Sequence, residues 1–301
     1  MWVAFKNFIK KHFPFLRSVV RCIRNFIKYD VALFIRVLLH LPEKKPSKLI
    51  HFTIHLADHC NLNCVGCDHF SPLAEPYCIS IEEFKKDFIR MGELFSHKCS
   101  RISLIGGEPL LNPDIIELMK IARENFTEGD IQIITNGILL LRVGEDFWRA
   151  CHDNKIRINM THYPIKLDVD AIKSLADKFD VEFTCVTTGK TMYKEPLDLS
   201  GKGDPRYNFI RCGRSNGCIT LWKGKLFTCT MIPNVHFFNK AFNQNIPVTE
   251  ADYVDIYSDI KPEEILRKMA THVPICSYCN IKGYQDGIEW RVSKREMSEW
   301  V

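Results

Sequence analysis

The sequence has no long apolar run: nothing in its 301 residues approaches the ~18–20 consecutive apolar positions that a bilayer-spanning helix needs. It also lacks the pattern of a secretory leader. The N-terminus is basic, but no uninterrupted apolar stretch of leader length and no small-residue cleavage site follow it. A cytoplasmic location is expected. Internal repeats and low-complexity tracts are missing too. With 46% hydrophobic residues and twenty Phe, the chain has too few polar tracts to be disordered. The length suits one large α/β domain, or one with a smaller companion.

Positive charge is scarce over most of the chain. Residues 1–48 hold eleven Lys and Arg against Asp30 and Glu43, a net of +9, whereas the other 253 residues carry 30 basic and 34 acidic groups, a net of −4. The overall +5 therefore belongs to an N-terminal arm. That distribution excludes a globally basic nucleic-acid binder, and no nucleic-acid partner is expected. Within the arm, Phe15 to Lys28 has helical period, with Leu16, Val19, Val20 and Ile23 on one face and Arg17, Arg21 and Arg24 on another. The pattern continues from Val31 to Leu41 until Pro42 and Pro46 end it. A basic amphipathic element of this kind lies on an anionic membrane surface or packs on its own body, and periodicity does not separate the two.

From Leu49 short strands alternate with helices. Strands are expected at His51–Ala57, Arg101–Ile105, Ile131–Thr135, Ile156–Met160 and Val181–Val186, and helices near Ile81–Phe95, Asp114–Asn125, Glu145–His152 and Asp168–Phe179. Repeated β-loop-α units of this size make a parallel sheet, whose active site gathers beyond the carboxyl ends of the strands. Gly189 to Pro205 reads as a connector. A hairpin follows, with strands Gly217–Trp222 and Leu226–Cys229 turning at Lys223–Gly224. A helix near Pro262–Ala270, a cysteine-containing loop and a polar tail come last. The expected divisions are an arm over 1–48, a β/α body over 49–205 and a small module over 206–301.

Thirteen cysteines are many for a reduced protein, and their spacing is informative. Directly after the first strand stands Cys60-Asn-Leu-Asn-Cys64-Val-Gly-Cys67. Thiolates are soft ligands for zinc or iron–sulfur clusters. Three of them leave one metal position open, where a structural zinc site closes with four. The second strand ends in Gly106-Gly107-Glu108-Pro109 and the third in Thr135-Asn136-Gly137.

These three motifs, in this order, resemble the signature of the radical S-adenosylmethionine (SAM) superfamily. The resemblance implies a partial (β/α)6-type barrel. It implies that Cys60, Cys64 and Cys67 hold a four-iron, four-sulfur cluster whose fourth iron is chelated by SAM. It further implies that Gly106, Gly107, Glu108 and Asn136 bind SAM, with Glu108 complementing its ammonium. The reduced cluster then cleaves SAM to a 5′-deoxyadenosyl radical that abstracts a substrate hydrogen, and a flavodoxin or ferredoxin supplies the electron. In one respect the chain departs from the family: the residue before the last cysteine, often aromatic, is Gly66, which leaves His69 or Phe70 to take its place.

Farther on, Cys212 is followed after eleven residues by Gly224 and after four more by Cys229, and later by Cys276-Ser-Tyr-Cys279. This resembles the shortened SPASM extension called a twitch module, a small α+β unit in which Cys212, Cys229, Cys276 and Cys279 would hold a second four-iron, four-sulfur cluster. The same quartet also meets the donor set of a zinc ribbon. Cys218 is an alternative ligand. Cys22, Cys78, Cys99, Cys151 and Cys185 lack ligand spacing and read as buried thiols.

Twitch-containing relatives oxidise sugar alcohols, so oxidation of a carbohydrate-like or other small alcohol is the reaction expected here. Peptide maturation or epimerisation is the alternative within the enzymes. A membrane-surface binding protein with structural zinc is the alternative outside them. His162 and Tyr163, just past the fourth strand, are candidates for proton acceptor or substrate contact. Asp68 and His69 have similar standing, while Arg206, Arg211 and Arg214, which flank Cys212 and could meet an anionic substrate group such as a phosphate, read as ordinary surface charge.

Overall fold

The computed structural model describes residues 19, 20, 23, 26–39 and 41–301. The helix expected over 15–28 falls largely outside the described residues. A π-helical segment, Phe26–Val31, leads into α1 (Ala32–Leu38), and Pro42 follows where the helical pattern stops. No residue of α1 is buried. Among the described residues no helix is long and apolar enough to cross a membrane.

Five strands follow, β1 (His51–Ala57), β2 (Lys98–Gly106), β3 (Glu128–Thr135), β4 (Ile156–His162) and β5 (Phe183–Thr187). Between them run α2 (Ile81–Leu94), α3 (Ile115–Asn125), α4 (Glu145–Asp153) and α5 (Val169–Lys178). All four neighbouring pairs are parallel and lie in chain order, which is the β/α alternation expected from the sequence. Local chemistry starts the helices. The Ser80 hydroxyl accepts from the Glu83 N–H at the head of α2, and the Asp168 carboxylate accepts from the Ala171 N–H at the head of α5.

The period-2 pattern gives this sheet two different faces. Phe52, Ile54, Ile102, Leu104, Ile131, Ile133, Ile156 and Ile158 are buried in one core with Phe84, Phe88 and Met91 of α2, Leu118 and Met119 of α3, and Trp148 of α4. The alternate positions are polar. Gln132 donates to the Ser103 hydroxyl at 2.8 Å, and the Thr53 and Thr220 hydroxyls meet at 3.0 Å. Thr53, Ser103 and Gln132 line a cavity of about 460 Å³ with His51, Asp68 and His69. The fold is thus a partial barrel, apolar where helices cover it and polar within.

The last third extends the same sheet. β7 (Thr220–Trp222) pairs in parallel with β1, and the hairpin to β8 (Lys225–Phe227) adds β9 (Tyr253–Asp255) at its edge. Lys223 and Gly224 both have positive φ, 48° and 72°, as a two-residue type I′ turn requires. The stretch expected to be only a connector contains β6 (Thr191–Lys194), which pairs antiparallel with β10 (Gln285–Glu289) from the tail. Three further helices are α6 (Pro205–Arg211), α7 (Met231–Phe242) and α8 (Pro262–Met269). A second core lies here. It joins Phe209, Phe227, Ile232 and Phe238 to Phe70 from the cysteine loop and Trp300 near the end of the chain.

Phe88 is fully buried, with its ring centroid 4.0 Å from that of Phe84 and 5.7 Å from that of Phe52. Phe88→Ala should lower unfolding free energy by about 3–5 kcal/mol, read from urea midpoints. A loss under about 1 kcal/mol would mean that this helix–sheet contact does not anchor the core.

Candidate functional site

The strand ends carry the motifs, and backbone geometry brings them together. Past β2, Gly106 adopts φ 147°, and a Cβ there would stand 2.1 Å from the Ala57 carbonyl oxygen. A Cβ on Gly107 would stand 2.3 Å from the His59 carbonyl oxygen. Only glycine fits so close an approach. It lets the Gly107 N–H donate to Ala57 and the Glu108 N–H to His59, at 2.8 and 3.1 Å. The ends of β1 and β2 are thereby joined.

Glu108 adds the end of β3. Its carboxylate accepts from the Thr135 hydroxyl at 2.6 Å, the Asn136 N–H at 2.9 Å and the Leu110 N–H at 3.1 Å. The residue is wholly buried. Burial pushes its carboxyl up to about 7, although the three donors favour the charged form. Asn136, in turn, donates to the Asn61 side chain at 2.7 Å and to the Cys60 sulfur at 3.7 Å.

At the carboxyl edge of the sheet, a cavity of about 460 Å³ is lined by Cys60, Cys64 and Cys67 together with Gly106, Gly107 and Asn136. Tyr163, Tyr193 and Asp286 stand on it as well. Nine of the expected site residues, with Asp68 and His69 among them, therefore meet in one place. Glu108 is not on the wall, since its carboxylate is engaged among the strand ends. His162 is not on the wall either: its Nε2 lies 3.2 Å from the Ile165 carbonyl oxygen. Tyr163 sits beside Trp290, ring centroids 6.4 Å apart, and burial raises its phenol above the ordinary range. It stays protonated and can donate. Of the two residues considered for the place of the missing aromatic, His69 lines the cavity. Phe70 is buried against Phe238 and Trp300.

Burial pushes the Cys64 and Cys67 thiols up to about 12 and raises Cys60 as well. Without a cation these sulfurs stay protonated, and a metal would reverse that balance. Donors already face them. The Leu62 N–H points at Cys60 at 3.4 Å and the Trp290 indole N–H at Cys64 at 3.2 Å, as suits sulfurs that carry negative charge when ligated.

The tail read as merely polar turns out to hold this loop. Trp300 donates to the Cys67 carbonyl at 2.8 Å, and backbone bonds join Val65 to Arg291 and Ser293 to Asn63. Beside the loop, Arg214 pairs with Asp68 at 2.5 Å and Glu195 at 3.2 Å, with its side chain only 10% exposed. The surface role expected for Arg214 is thus corrected. Burial works against ionisation of Asp68, but the Arg214 guanidinium and the other groups facing it together outweigh burial and hold the carboxyl below its ordinary value. His69, its ring stacked 4.7 Å from that of His55, is pushed down to about 4 by burial and stays neutral.

The second cysteine set also comes together. Cys212, Cys229, Cys276 and Cys279 line a small, largely apolar cavity of about 20 Å³ with Phe209, Met231 and Ile275. The N–H groups of Arg214 and Ser215 point at Cys212, and that of Met231 at Cys229, each at 3.4 Å. Asn208 pins the Cys276 and Cys279 carbonyls at 2.8 and 2.7 Å. Cys218 lines the polar cavity inside the barrel. Among the described residues, no three His, Cys, Asp or Glu side chains converge on a point suited to a single metal ion. The thiolates of a cluster stand farther apart, because each binds a different iron. Of the thiols read as buried, Cys99 and Cys151 are so, Cys78 is partly exposed, Cys185 is exposed, and Cys22 lies outside the described residues.

Comparison with known proteins bears on most of the β/α body. Residues 54–168 match the Radical SAM superfamily, so the chain carries a radical SAM domain. The GTP 3′,8-cyclase of Desulforamulus reducens is 29% identical over 103 residues, 33% of this chain and 31% of that one. That of Crocosphaera subtropica is 32% identical over 119 residues, 35% of this chain and 32% of that one. The chain spans about a third of the length of these relatives. A solved structure, BtrN in complex with AdoMet and 2-DOIA, superposes with a TM-score of 0.52 at 16% identity, covering 78% of this chain and 94% of that one. That likeness concerns the fold.

Glu108 generates a pH prediction. A carboxyl whose folded pKa, about 7, exceeds its ordinary 4.5 holds more protons folded than unfolded. Its contribution to stability is therefore lost as pH rises from about 4.5 to 7, by roughly 3 kcal/mol in all. Urea midpoints of the SAM-free protein at pH 5 and 7.5 should show this fall, and Glu108→Gln should remove most of it. Parallel curves for parent and variant would rule out Glu108 as the titrating group.

Proposed function

We propose that this protein is a radical SAM oxidoreductase acting on an alcohol of a carbohydrate-like or other small substrate. The observation that carries the proposal is the meeting of Cys60, Cys64 and Cys67 with Gly106, Gly107 and Asn136 on one cavity beyond the strand ends. Those three thiols would hold the cluster that SAM completes. Cys212, Cys229, Cys276 and Cys279 would hold a second one, closed by four protein ligands. When bound, the first cluster supplies the electron that cleaves SAM to a 5′-deoxyadenosyl radical, and the second an acceptor for the electron left on the substrate.

The chain's own residues do the remaining work. Gly106 and Gly107 allow the backbone to approach a ligand closely. Asn136, held by Asn61, presents its amide beside Cys60. Tyr163, a protonated phenol on the wall, would donate to a substrate oxygen and orient it. Tyr193 and Asp286, from the β6–β10 ribbon, complete the wall. A small electron-transfer protein such as a flavodoxin or ferredoxin would serve as reductant.

Anaerobic reconstitution of the full chain should give brown protein with about seven to eight irons. It should form 5′-deoxyadenosine only when a reductant is present. Replacing Cys60, Cys64 and Cys67 by Ala should abolish that formation. Replacing Cys276 and Cys279 should leave uncoupled SAM cleavage but stop substrate turnover. Colourless, zinc-containing protein that does not cleave SAM would overturn the proposal. Return of deuterium from 5′-deoxyadenosine to the substrate would overturn the oxidation and favour epimerisation.

A further inference from the structure

The described part of the N-terminal arm, Phe26 to Leu39, holds apolar side chains out in solvent. Phe26, Ile27, Phe34 and Leu39 are 58%, 58%, 68% and 59% exposed, and α1 buries none of its residues. A helix packed firmly on its own body buries one stripe of its surface, whereas α1 only half-buries Ala32, Leu33 and Arg36 and leaves Phe34, Ile35 and, at its end, Leu39 exposed. The root of the same arm is firmly attached. Asp30 pairs with Arg211 at 3.0 Å, and Arg36 donates to the Lys44 carbonyl at 3.0 Å. Glu43 is buried between Arg206 and His272, at 3.2 and 2.9 Å. The Lys44 ammonium reaches the Cys212 and Ser215 carbonyls at 2.6 and 3.0 Å. The exposed helix is thus carried on a built support.

We propose that the arm is a docking surface for an anionic lipid bilayer, with α1 and the turn before it lying in the interface. Exposed Phe, Ile and Leu suit the boundary between headgroups and acyl chains, and basic side chains suit acidic headgroups. Charge selects this occupant. Residues 1–48 carry a net of +9, so a second copy of the chain would bring a like charge to the contact, which opposes pairing. No described helix is long and apolar enough to span, so α1 would lie along the surface. Because the root grips the Cys212–Asn216 loop, docking places that end of the body nearest the bilayer. The proposal is independent of the catalytic reading and needs no cluster.

Sedimentation of the full chain with phosphatidylcholine vesicles, with and without phosphatidylserine, tests it. The protein should pellet with the phosphatidylserine vesicles, bind pure phosphatidylcholine about tenfold or more weakly, and be released by added salt. Phe34→Glu combined with Leu39→Glu should lower binding by about tenfold or more while the melting temperature stays within about 2 °C. Failure to pellet with phosphatidylserine vesicles would overturn the proposal. So would equal binding by parent and double variant, or a parent dimer that the variant dissolves without any vesicle binding.

Discussion

The carboxylate of Glu108 is the interaction on which the rest of the site depends. It receives donors from two sides, Leu110 in its own turn and Thr135 and Asn136 at the end of the next strand. The glycines before it bring the main chain against the end of β1. Three separate loops are thereby held at one height above the sheet. A carboxylate so deeply buried is costly, and its raised pKa expresses that cost. Satisfying it with three donors makes the arrangement specific, since any other register of the strand ends would leave those groups unmatched.

Around this knot the chain closes from both ends. Trp290 and Trp300 come from the tail to the first cysteine loop, one donating to a sulfur and the other to a carbonyl. Glu43 and Lys44 come from the arm to the second cysteine region. Arg214 stands between the two sets. Its side chain neutralises Asp68 beside Cys67, and its own N–H faces the sulfur of Cys212. Charge changes at either set are therefore felt through a short, buried path where screening is weak.

The β/α body was readable from sequence because each of its elements is periodic. Phe52-Thr53-Ile54 alternates across a strand, and Phe84, Phe88 and Met91 recur along one face of a helix. The cysteine sets were readable from spacing, which reflects loop geometry close in sequence. What escaped depends on partners far away in the chain. Thr191–Lys194 and Gln285–Glu289 are short and show no clear alternation, and become strands only by finding each other. Arg214 looks like any surface arginine until Asp68 and Glu195 enclose it. Trp290 and Trp300 sit in a polar tail whose contacts no local pattern encodes. Glu108 stands out in the sequence through its motif, yet its burial among the strand ends is a matter of tertiary geometry.

The claim that joins these observations is that one thiol set is open to SAM and the other is closed. Electron paramagnetic resonance of the reduced, reconstituted full chain, recorded before and after addition of SAM, addresses it directly. Two cluster signals are expected. One should change on adding SAM and be absent when Cys60, Cys64 and Cys67 are replaced, while the other is indifferent to SAM and is lost when Cys276 and Cys279 are replaced. A spectrum in which no signal responds to SAM, or in which both do, would contradict the account.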